Sequence, residues 1–199
     1  MSKNWVSPAS RLEIREFAMR IRRFLGYRDT DFVNAPKLYD ALANRLAKDK
    51  LNFDFRVMSD DDKVFENKEE AYTNTSTGII YIKQSVMEKA CRRSFNRAAF
   101  TLIHELGHFL LHYVQEDVKL ARVSDEVDVP PYCDPEWQAN VFASEFLMPF
   151  NECKKLTPSE IRKNYHVSTQ ASEVRYNKIK KELGQNSLCD FEKNVITFE

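Results

Sequence analysis

The chain has 199 residues, with 30 lysine plus arginine against 30 aspartate plus glutamate, a hydrophobic share of 43% and 14 phenylalanines. That suffices for one compact domain with a packed core and excludes two large ones. A formal net charge of zero excludes a global electrostatic pull toward nucleic acid or membrane, so any basic surface has to be local.

The opening MSKNWVSPASRLEIREF lacks the apolar stretch of a secretory signal, and no later run is long enough to span a bilayer, so the expected location is the cytosol, away from membranes. Cys91, Cys133, Cys153 and Cys189 are scattered without a C-x-x-C pair, which predicts reduced thiols rather than a disulfide framework. From Ser10 to Leu25, Leu12, Ile14, Phe17, Ile21, Phe24 and Leu25 recur near helical spacing and stop at Gly26. The pattern repeats from Asn34 to Lys48 after Pro36, so two helices are predicted. Between Asn52 and Ser85 the alternating FDFRVMS, the turn signal in AYTNTSTG and the β-branched IIYIKQS predict a small antiparallel sheet, with the acidic DDDKVFENKEE as its loop.

From about Arg93 the residues Phe95, Ala98, Ala99, Leu102, Ile103, Leu106, Phe109 and Leu110 predict an almost wholly buried helix. A loop from Tyr113 to Cys133 leads to Asp134 as N-cap and Pro135 as first helical residue of a helix that stops at Pro149. Thr157 to Lys181 reads as two short helices around Tyr165, His166 and Val167, and the polar end from Gly184 as a tail or a late strand at Asn194 to Phe198.

His104-Glu105-Leu106-Gly107-His108 fits H-E-x-x-H on the buried helix. At 100° per residue the two histidines lie about 40° apart on one face, close enough to share an ion, and the donor type suits tetrahedral Zn²⁺. Glu105 projects about 100° from His104, too far round to ligate but well placed to accept a proton from a water beside the ion. A third ligand has to come from another element. The metzincin continuation fails, because it requires glycine and histidine where Leu111 and Val114 stand. The helix EWQANVFASEFLMP offers Glu136 and Glu145 on roughly opposite faces. Glu136 borders the inward stripe of Ala139, Ala143, Phe146 and Leu147, and Glu145 lies away from it, so Glu136 is the expected ligand. The competing reading of Glu136 is an ordinary acid in the first turn of a helix.

The stretches TGIIYI, RAAFTLIHELGHFLLH and EWQANVFASEFLMP, in this order, resemble the ImmA/IrrE family of zinc peptidases, strongly from Thr77 to Pro149 and more weakly over LTPSEIRKNYHVSTQASEVRYNKI. The resemblance implies a gluzincin-like site, with His104, His108 and Glu136 as zinc ligands and Glu105 as the catalytic glutamate. It also implies cleavage of a DNA-binding repressor of helix-turn-helix type, often encoded beside the peptidase in a bacterium, phage or other mobile element, with relief of transcriptional repression. The expected fold is α+β and zincin-like: a small antiparallel sheet, the H-E-x-x-H helix, a second ligand helix and flanking helices. Residues 1–150 form the expected peptidase domain, 151–185 a segment like a helix-turn-helix, and 186–199 a tail. The rival of another class is a non-catalytic regulator that holds zinc and binds a repressor or DNA.

Other residues carry paired readings. The strand Gly78 to Lys83 is either a core strand or an edge that pairs with substrate. His112 either assists Glu105 or merely suits a helix C-terminus. Tyr113, Tyr132 and His166 are candidates for stabilising an oxyanion. Cys133 either reaches the zinc and holds the enzyme latent or is a buried thiol. Arg175, Lys178, Lys180 and Lys181 give Ser159 to Lys180 a basic side that could touch DNA, although docking on the core or on the substrate fits the neutral chain better. Arg92, Arg93 and Arg97 form either a solvated helix start or a docking patch.

Overall fold

The computed structural model describes residues 3–46, 53–65, 69–92, 97–113, 121–123 and 130–195, with side chains described for 5–45, 53–65, 69–92, 97–113 and 130–184. Strand β1 (Lys3–Trp5) leads to α1 (Arg11–Phe24). Ser10 caps α1 in a reciprocal box with Glu13, which satisfies two of the amide groups a helix start leaves orphaned. α2 (Ala35–Leu46) follows. Both helices agree with the apolar spacing, but Leu12 and Phe24 are exposed while Arg22 is fully buried. The Arg22 guanidinium donates to the carbonyls of Phe146, Arg28 and Asp31, so its burial is compensated by hydrogen bonds.

Strands β2 (Asp54–Met58), β3 (Ala71–Asn74) and β4 (Ile79–Lys83) form a sheet in the order β2-β4-β3. The sheet is mixed, not antiparallel throughout: β3 pairs antiparallel with β4, and β2 runs parallel to β4. The long acidic segment after Met58 causes this. It carries the chain to the far edge, so the β3–β4 hairpin returns β4 into the centre. On the way the turn Lys63–Phe65 buries Phe65. Gly78 ends the hairpin turn at φ +72, and a Cβ there would strike the Tyr113 ring, so only glycine suits the position.

α3 (Gln84–Cys91) starts directly after β4 and buries Val86 and Ala90. It is a helix where the sequence reading continues the strand character to Ser85. α4 (Arg97–His108) then crosses the core and widens into a π-helical turn, Phe109–Tyr113. The short β5 (Ala121–Val123) pairs antiparallel with β1, a ribbon that the sequence reading leaves as loop.

Asp134 caps α5 (Pro135–Leu147), accepting from the Glu136 amide, with Pro135 in the first turn. The short α6 (Phe150–Cys153), α7 (Pro158–Tyr165) and α8 (Thr169–Val195) complete the chain. His166 breaks α7 from α8 in the left-handed region at φ 52. α8 runs past Gly184 to Val195 where a tail or strand is expected from the sequence; residues 196–199 lie outside the described ones. The core joins α1, α2, α4 and α5 through Ile14, Leu38, Leu102, Phe142 and Phe146. Among the described residues no helix is long and apolar enough to cross a membrane.

The packing of α4 on α5 positions the site. A Cβ at Gly107 would meet Phe142 at 3.1 Å and the Ala139 backbone at 3.3 Å, so this glycine lets the two helices approach closely. The start of α5 is thereby brought over the histidine face of α4.

Candidate metal centre

One turn of α4 carries His104 and His108, and their Nε2 atoms stand 3.0 Å apart. Glu136 reaches across from the first turn of α5, with Oε2 3.2 Å from His104 Nε2 and Oε1 3.2 Å from His108 Nε2. Among the described residues these three form the group whose donor atoms lie close enough to hold one metal ion.

The donors fit a tetrahedral zinc ion. Ligands at zinc-bond lengths of about 2.0–2.1 Å around a tetrahedral centre stand about 3.3 Å apart, close to the spacings observed. The proton inventory argues the same way. Two hydrogen bonds to Glu136 would need a proton on each Nε2, and those protons would face one another across 3.0 Å. A shared cation satisfies both lone pairs and the carboxylate together. Hydrogen bonding from His104 and then His108 holds the Glu136 carboxyl far below the usual carboxylate range. Burial pushes the His108 pKa down, but the Glu136 hydrogen bond and the Glu105 charge outweigh it, so it is raised. The Glu136 side chain is 66% exposed, so the cluster opens to solvent on the carboxylate side.

Glu105 is buried beside the histidines. Its Oε2 accepts a hydrogen bond from Thr73 Oγ1 at 2.6 Å, and the same hydroxyl lies 3.0 Å from the Glu105 carbonyl. Thr73 thus fixes the carboxylate from β3. Sequence reasoning missed it, because a threonine in a strand has no distinguishing signal. Ala71, Tyr72, Thr73 and Thr75 wall one side of a cleft of about 280 Å³ whose floor holds His104, Glu105 and His108.

The strand beside this cleft is β3, not β4. β4 is central and paired on both sides, whereas β3 has no second partner strand among the described residues, so the edge-strand reading of Gly78 to Lys83 is corrected. His112 also lines the cleft and is buried. Burial first, then the nearby His108 charge, pushes its pKa down to about 4, so the imidazole is neutral at physiological pH. It stands in the last turn of its helical segment, Phe109–Tyr113, and is buried there. Tyr113, Tyr132 and His166 do not line this cleft. Cys133 is buried under the turn Pro131–Cys133 and is not part of the metal-holding group.

Glu145 differs from its expected placement away from the core. It is fully buried. Arg175 of α8 donates to both its oxygens, at 2.9 and 2.6 Å, and Arg15 of α1 approaches at 3.2 Å. Arg175 is therefore spent inside the protein and is not a free cation for DNA, and Lys180 lies over the Tyr176 ring. Arg97 approaches Glu70 at 3.8 Å, and Arg93 lies outside the described residues.

A family model described as the IrrE N-terminal-like domain, Peptidase M78, matches residues 52–177. Among solved structures, a Mycobacterium tuberculosis transcriptional regulator matches at 14% identity and a TM-score of 0.49, over 81% of this chain and 46% of that one. The chain thus spans less than half of that regulator's length. A search of curated proteins returns no match.

Proposed function

Because the chain belongs to the IrrE N-terminal-like family of metallopeptidases, we propose that it is a zinc-dependent endopeptidase, acting in the cytoplasm on a DNA-binding repressor to relieve transcriptional repression. The carrying observation is the convergence of His104, His108 and Glu136 beside Glu105 in a cleft walled by β3, a strand with no second partner among the described residues. In this reading His104, His108 and Glu136 hold the ion.

Zinc, when bound there, supplies Lewis acidity that brings water toward ionisation at neutral pH and polarises the scissile carbonyl. Glu105, steadied by Thr73, accepts the proton of the attacking water and returns it to the leaving amine. Among the described residues the outer edge of β3 has no partner strand, so an extended substrate can lie on it as an added strand with its peptide bond over the histidines. In the same reading neutral His112, which lines the cleft, donates to the developing oxyanion. The solvent-open side at Glu136 favours a catalytic over a structural metal site, since a structural site closes its fourth position with protein.

The test is to incubate the purified protein with repressors encoded beside its gene, with and without a chelator. Cleavage is expected with zinc and is lost on chelation. Glu105→Gln should retain zinc and partner binding while cleavage falls by about 10²–10⁴-fold. Full biological activity of Glu105→Gln would instead establish a non-catalytic regulator that acts by sequestration.

A further inference from the structure

A second depression, of about 660 Å³, runs between α5 and α8 and shares Glu136 with the metal cleft. On the α5 wall Glu136, Asn140, Ser144 and Leu147 form one stripe, which extends about 16 Å at 1.5 Å per residue. On the facing wall α8 presents Ala171, Val174 and Lys178 at the same helical spacing. The far end continues into a further hollow of about 350 Å³, because Phe32, Val33, Ala99 and His166 line both. The groove is therefore long enough for several residues of a polypeptide, and it opens directly onto the carboxylate of the cluster.

Its lining is mostly apolar. Phe32 and Val174 are among the exposed large hydrophobic residues of the protein, at 41% and 45%, and both line this groove. Its charges are nearly all engaged. Asp134 caps α5, Glu136 belongs to the cluster, Arg175 is bound to Glu145 and Arg97 approaches Glu70. That leaves the ammonium of Lys178, which has no hydrogen bond or ion pair among the described residues. Partial loss of water lowers its pKa first, the charges of Arg11 and Arg175 lower it further, and the Glu145 carboxylate offsets part of this. Arg11 lies over the Trp137 ring, 5.6 Å from its centroid. Lys178 is thus a cation of the lining with no ion-pair partner among the described residues, which an anionic group of the occupant would supply.

We propose that this groove docks a segment of the protein substrate that carries apolar side chains and an acidic one, with the apolar side chains between Phe32 and Val174 and the acid at Lys178. The assignment of the occupant to the substrate rests on the peptidase reading above, because the groove continues the cleft that would hold the scissile bond. Recognition along this groove would give selectivity that main-chain pairing with β3 alone lacks.

The test is selection of a random-peptide library displayed on phage against the chelator-treated Glu105→Gln protein, followed by fluorescence anisotropy of the selected peptide. Enriched peptides should share apolar residues and an aspartate or glutamate. Lys178→Glu should weaken the selected peptide about fivefold to tenfold, the cost of reversing one rim charge, and should itself select lysine or arginine in place of the acid. Val174→Asp should weaken binding as well. Both positions are exposed, so unchanged thermal unfolding shows that the variants are intact. No enrichment over the starting library, a consensus without an acidic residue, or binding indifferent to both substitutions would overturn the proposal. Because binding is read without metal or hydrolysis, failure of the peptidase reading leaves this result interpretable. Failure of the groove, conversely, leaves zinc content and cleavage untouched.

Discussion

Glu136 and Glu145 are the same residue type on the same helix, yet they have opposite fates. Glu136 is 66% exposed and faces two imidazoles, which offer lone pairs and no permanent charge. Glu145 is 0% exposed and faces two guanidiniums, which offer permanent charge and fixed donors. The second carboxylate is satisfied from within the protein; the first completes a donor set that calls for a cation from outside. What separates a candidate metal site from a structural ion network is thus the chemistry of the partners. Burial alone would have chosen Glu145.

The strongest way to break this contrast is Glu145→Ala. It leaves Arg175 buried without its partner, so stability should fall by about 3–5 kcal/mol in denaturant titrations, with metal content per folded chain unchanged. Glu136→Gln should do the reverse, losing zinc by elemental analysis while the metal-free protein unfolds within about 1 kcal/mol of the parent. Equal loss of stability in both would erase the distinction.

Gly107→Ala is the next largest. The added methyl meets Phe142 and the Ala139 backbone, so α4 and α5 must separate slightly, at a cost of about 1–3 kcal/mol. Zinc affinity, measured by competition with a chromogenic chelator, should weaken with it, because the cluster straddles these two helices. Thr73→Val removes a hydrogen bond to a carboxylate, worth about 1.5 kcal/mol, and should lower kcat about tenfold with KM little changed; Thr73→Ser should restore it. Loss of KM alone would assign Thr73 to substrate binding.

The smallest effect lies in the acid limb of the stability curve. Burial pushes the Glu145 pKa up, but hydrogen bonds and charges from Arg175 and Arg15 outweigh it, so the folded value lies below the ordinary 4.5. The unfolded chain then binds more protons, and the stabilisation is full above pH 4.5 and lost as pH falls through the folded value. Glu145→Gln should flatten that limb in chemical denaturation measured across acidic pH. An unchanged slope would show that the pair does not set it.

Much of this was legible locally. The apolar spacing from Ser10 to Leu25 marks one helix, Asp134 with Pro135 announces the start of another, and the helical spacing of His104 and His108 places both rings on one face. The features that escaped reading are the ones settled by distant partners. The sheet order depends on where the segment after Met58 delivers β3, which no strand pattern encodes. Glu145 has Arg15 130 positions away in sequence and Arg175 30 positions away, so its spacing on the helix indicated exposure. α3 was missed because IIYIKQS reads as strand, while only Val86 and Ala90 give it a buried face.

The clamp on Glu145 has a practical consequence for dissecting the protein. The family match begins at residue 52, but one of the two arginines that neutralise this carboxylate sits on α1. A fragment trimmed to the matched boundaries would strip α1 from the face of α5 and expose Phe142 and Phe146, leaving an acid half-compensated in the interior. The matched segment therefore leaves out a helix that packs on α5 and supplies Arg15, and expression trials should retain that helix.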